Sequence, residues 1–213
     1  MQRFASPLWR IAGSIVSWLL FSLSFSLLYM GSAVVMGLGG FCASGGPYVI
    51  ETECPDAVVA YVPLSIFGGL IAVGIGANFA QGFGTPLISW AWSILFVGLG
   101  AAFLISSAQP GGITFLIIGV MFVLMGIVPL IWELRASPRR LFLGSTNSAD
   151  TRFVEAGKAR WSPTQFTHWG SRESGEPIAA TGGDWALSLG ILVASVGLGI
   201  YLATLMWSAA AAG

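Results

Sequence analysis

Two cysteines, three neighbouring carboxylates and one histidine are the residues from which this 213-residue chain could build chemistry. Cys42 and Cys54 are its only cysteines, and they enclose Glu51 and Glu53 in the stretch Phe41-Cys42-Ala43-Ser44-Gly45-Gly46-Pro47-Tyr48-Val49-Ile50-Glu51-Thr52-Glu53-Cys54-Pro55-Asp56. On an oxidising face such a thiol pair is expected to join, closing a small loop worth about 2 to 4 kcal/mol in the chain-entropy model. A metal would need more ligands than two thiols, and His168 lies in a distant polar stretch. Lipid attachment at Cys42 would need a small residue where Phe41 stands. Glu51, Glu53 and Asp56 either attract a cation or a partner's basic patch, or are simply solvated. Gly45-Gly46-Pro47-Tyr48 reads as a fixed turn that presents Tyr48 to a partner or to lipid headgroups.

Outside this loop the inventory is thin. Metal, histidine-based and cysteine-based catalysis all need two or more convergent side chains, and no HExxH, GxSxG, Walker A or GxGxxG pattern occurs. The sequence therefore predicts no catalytic site, no cofactor and no metal. His168, in Phe166-Thr167-His168-Trp169, reads as an interfacial residue.

The elements that must carry these residues follow from charge. The chain is 55% hydrophobic and 8% charged, with a mean hydropathy of +0.83, whereas an ordinary soluble domain is about 25% charged. Nine basic and nine acidic residues cancel, which removes a basic footprint for nucleic acid. Charge is absent between Arg10 and Glu51, between Asp56 and Glu133, and after Asp184. At about 20 apolar residues per span, these gaps hold one, three and one helices. The expected fold is an all-α integral membrane bundle of about five transmembrane helices, near 11–38, 58–79, 87–107, 113–132 and 185–207.

The first span is too long for a cleavable signal and long enough to tilt or to extend past the bilayer. Its serines, Ser14 to Ser32, read as helix-packing positions. Pro63 falls in the first turns of span two, and Pro129 near the end of span four is placed to kink it. Gly68, Gly69, Gly74 and Gly76 read as close-packing positions. The chain divides into a four-helix region at 1–132 with its loop at 40–57, a basic cytoplasmic or interfacial segment at 133–184, and a final helix with its tail at 185–213.

Arg3, Arg10 and the seven basic residues of 133–184 set the orientation: N-terminus inside, C-terminus outside, in a bacterial plasma membrane. Trp9, Trp90, Trp92, Trp132 and Trp185 then form an aromatic belt at the inner interface, and both cysteines fall outside. Arg135, Arg139 and Arg140, set among apolar residues below span four, lie against anionic headgroups or dock a partner. Arg152 to Trp169 is amphipathic without a clean period.

The string Cys-Ala-Ser-Gly-Gly-Pro-Tyr, continued to Cys54-Pro55, resembles the extracytoplasmic loop of a family of small actinobacterial multipass membrane proteins. The resemblance covers roughly the loop and the adjoining helix halves, and it implies no activity. By size and class the chain also resembles the accessory membrane subunit of mycobacterial Mce-type lipid importers. The expected function is a non-catalytic accessory or scaffold subunit of a cell-envelope complex, with other membrane subunits and lipids as partners. Tyr48, Glu51, Glu53, Asp56, Arg135, Arg139, Arg140, Gly69 and Gly197 are its candidate contacts. Two other readings are a small oligomeric channel or carrier for neutral or apolar solutes, and a lipid-modifying enzyme using Glu51, Glu53, Asp56 and Tyr48.

Overall fold

The computed structural model describes residues 7–44, 50–80, 84–108, 112–136, 141–142 and 182–211. They form five long helices and no strand: α1 (Pro7–Gly37), α2 (Asp56–Ile75), α3 (Leu87–Ser106), α4 (Ile113–Ala136) and α5 (Gly182–Ala211). Each is long and apolar enough to cross a membrane. The chain is an all-helical membrane bundle, as its charge gaps require.

Several boundaries move from those expected. α1 begins at Pro7, where a residue without an N–H costs a helix nothing. It ends in a Schellman turn, in which Gly39 N–H bonds the carbonyl of Met36 and Gly40 N–H that of Val35. Both glycines take the left-handed φ this turn needs, +96° and +93°. Pro63 does not lie in the first turns: α2 starts at Asp56, so the proline sits inside the helix, on its exposed side. α2 runs on into a π-helical turn, Gly76–Ala80. α4 continues through Pro129 to Ala136, so the first residues of the expected polar segment are still helix.

α1 is the central post. α2, α3 and α5 all pack on it, and α4 is held against α3. The core gathers around Trp18, Phe21, Ala72 and Leu87. The serines of α1 pack as expected, with Ser14, Ser17, Ser22 and Ser24 buried between helices. Backbone approach at small residues sets the spacing. A Cβ on Gly100 would lie 2.9 Å from the Val123 nitrogen, one on Gly119 3.0 Å from the Leu104 nitrogen, and one on Gly126 2.9 Å from the Ser93 oxygen. These three glycines fasten α3 to α4, and Gly13 does the same for α1 and the π turn. With no hydrophobic force between helices in lipid, such close contact is what holds them. The four glycines expected to pack divide: Gly68 and Gly76 meet Ser24 and Ser17, while Gly69 and Gly74 face open space.

Candidate functional site

The two ends of the bundle and the cleft between them hold the polar features. At one end the loop from α1 to α2 is tied by the Cys42–Cys54 disulfide, Cα atoms 5.0 Å apart. A single bridge reinforces it: Ala43 N–H donates to Thr52 at 3.0 Å and Cys54 N–H to Ala43 at 2.9 Å. Gly40, just before this loop, lies against the Phe115 ring of α4. Glu51, Glu53 and Asp56 are all exposed, the last in the first turn of α2. Among the described residues no three His, Cys, Asp or Glu side chains come together as a metal site.

At the opposite end lies a knot of hydroxyls, indoles and carbonyls that the sequence did not announce. After α4 the chain turns back, and Leu141, 1% exposed, is driven into the bundle. Phe142 follows, its ring 5.4 Å from Trp90 of α3 and 5.9 Å from Trp185 of α5. Their carbonyls are then buried and need donors. The Trp90 indole donates to Leu141 at 2.9 Å. Phe142 accepts from Thr85 Oγ1 at 3.0 Å and from Ser188 Oγ at 2.7 Å. The two hydroxyls lie 3.2 Å apart. Trp18 of α1 completes the knot by donating its indole N–H to the Thr85 carbonyl at 2.8 Å. Gly84, at φ +61°, places Thr85 there, and a Cβ on it would press on Ser188 Oγ at 3.4 Å.

The knot corrects the aromatic belt. Trp9, Trp92 and Trp132 are exposed, the last at 76%. Trp90 and Trp185 turn inward and clamp Phe142. The one signal in sequence was Leu141-Phe142-Leu143 directly after a basic pair, too short to read as an element.

Between the ends, α3 and α5 diverge over α1 and leave a cleft of about 440 Å³. Trp18, Phe21, Phe25 and Tyr29 of α1 form its floor, with Ile94 of α3 and Val196 of α5 on its walls. Phe21 and Phe25 stack at 6.2 Å. Trp18, at the foot of the cleft, is the residue bonded to Thr85, so the knot closes that end.

The expected contact residues do not converge on one place. Glu51, Glu53 and Asp56 sit at the disulfide end, and Arg135 is exposed in the last turn of α4 at the other. A Cβ on Gly69 or on Gly197 would meet nothing within 4 Å, so neither is a packing position within the chain. Tyr48, Arg139, Arg140 and His168, and the stretch Arg152 to Trp169, lie outside the described residues. Comparison with known protein families, curated proteins and solved structures finds no match.

Proposed function

We propose that the chain is a non-catalytic accessory subunit of a bacterial cell-envelope membrane complex, with its N-terminal face in the cytoplasm. The observation that carries this reading is the division of its glycines. Gly13, Gly100, Gly119 and Gly126 are clamped against backbone inside the bundle, while Gly69, Gly190 and Gly197 offer the same close-approach surface to nothing in the chain. In lipid, open small residues on a charge-free helix are where another helix packs. The loop acids and Arg135 lie at the two rims, where soluble parts of partner subunits reach them. A lipid importer is the assembly to which the resemblance in size and class points.

A channel or carrier of one chain finds less support, because the knot around Phe142 seals one end of the cleft between α3 and α5. A lipid-modifying enzyme would need Glu51, Glu53 and Asp56 to act on one substrate from an exposed loop.

Mild-detergent purification of tagged chain from its own membrane tests the reading. Other membrane subunits should co-purify with the wild-type protein. Gly69→Leu or Gly197→Leu should release them while the variant stays in the membrane with its disulfide formed. If no membrane protein accompanies the wild-type chain, or if Glu51→Ala abolishes activity of the native pathway with assembly intact, the reading fails.

A further inference from the structure

We infer that the cleft over α1 is the seat of a partner subunit's transmembrane helix, and that Tyr29 is its hydrogen-bonding contact; the inference rests on the accessory-subunit reading and names its docking surface.

The cleft's position identifies the class of occupant. On α1 it runs from Trp18 to Met30, and the span Ile11–Gly37 is centred on Ser24. On α3 it is bounded by Ile94 and Gly98 within Leu87–Ser106, and on α5 by Val196 and Ile200 within Trp185–Ala210. All three walls therefore place it across the middle of the bilayer. At 1.5 Å per residue it reaches about 9 Å to either side of the midplane. A lipid chain is anchored at one surface and ends near the midplane, so it would cover half of such a cleft. A helix that crosses the membrane covers all of it. Entry from below is closed, because Trp18 is locked to Thr85, so the occupant arrives sideways from the membrane.

Tyr29 adds a chemical requirement. Its ring stands 6.5 Å from Phe25 in the cleft, and about five residues, or 7.5 Å, from the span's centre it is still inside a hydrocarbon core about 30 Å thick. A serine hydroxyl there satisfies itself on its own preceding turn, as Ser22 does on Leu19. A phenol is too long for that, and Tyr29 has no hydrogen-bond partner among the described residues, in contrast to Tyr61, which donates to the Met206 carbonyl. Hydrocarbon offers Tyr29 no acceptor. A helix does, through a side-chain oxygen or an unbonded carbonyl.

Site-specific photocrosslinking in the native membrane tests this with the full-length chain. A benzophenone amino acid at Met30 or Ile200, on the cleft rim, should yield one discrete adduct whose crosslinked peptide, mapped by mass spectrometry, belongs to a membrane-spanning segment of a different protein. The same group at Ile117, which faces outward from α4 at 65% exposure, should not. Tyr29→Phe should lower the rim adduct about two- to tenfold, the range of one hydrogen bond, and Ser26→Phe, which fills the cleft, should abolish it. Adducts to lipid alone, or to a second copy of this chain, would overturn the inference. So would co-purifying subunits that crosslink nowhere on the rim, and that result would leave the accessory-subunit reading standing.

Discussion

Thr85 and Ser188 share one task, and that fixes how their removal should behave. Each hydroxyl carries a single hydrogen, while three contacts link Thr85 Oγ1, Ser188 Oγ and the Phe142 carbonyl. With both present the carbonyl is satisfied twice over; with either one gone it keeps a donor. Thr85 and Ser188 are 3% and 2% exposed, so water does not replace them. Thr85→Val or Ser188→Ala alone should therefore cost about 0.5 kcal/mol, near the average measured for interhelical hydrogen bonds in membranes. The double variant leaves a buried carbonyl without any donor, a penalty of about 1 to 3 kcal/mol. The pair should thus lose about 1 kcal/mol more than the two singles together. Equilibrium unfolding in mixed micelles, followed by the fluorescence of Trp18, Trp90 and Trp185 around the knot, measures all four corners of the cycle. Strict additivity would refute the shared-acceptor argument, and a single variant as damaging as the double would show that one hydroxyl alone holds Phe142.

Two further outcomes are expected. Reporter fusions at Ser145 should read cytoplasmic and fusions at Gly213 extracytoplasmic, because α5 ends beside α2's first turns, Tyr61 donating to Met206, at the end opposite the start of α1; a cytoplasmic C-terminus would contradict the proposed orientation. Gly126→Leu should destabilise the isolated chain by at least about 1 to 3 kcal/mol, the usual cost of overpacking, whereas Gly197→Leu should leave its unfolding unchanged. Equal effects on unfolding would show that the clamped and open glycines are not distinct.

Helix number and span limits were legible because they depend on charge, and a charged side chain in hydrocarbon is costly whatever its neighbours. The Cys42–Cys54 pairing was legible because no other thiol competes. The direction in which each glycine faces was not. Gly68 and Gly69 are adjacent and chemically identical, yet one meets Ser24 and the other meets nothing, a difference set by helix rotation, to which composition is blind. The tryptophans misled for a related reason: an indole at a helix end suits the membrane interface, and it equally suits a buried carbonyl that needs a donor. Only the return of Leu141 and Phe142 into the bundle decides between the two uses for Trp90.

That return also bears on how the chain serves a complex. α4 is held mainly by its glycine contacts with α3, and residues 141–142 are pinned between α3, α1 and α5. The start of the basic segment is therefore fixed to the same three helices that bound the cleft. A partner helix seated in the cleft and a cytoplasmic domain resting on Arg135 would both press on α3 and α5, one at the midplane and one at the knot. Binding at either place must then favour the same spacing of α3 and α5 to be compatible with the other, and the two affinities are coupled to whatever extent that spacing changes. The Thr85 and Ser188 hydroxyls, as the direct tie between those helices, are where that coupling is weakened with least disturbance to the bundle.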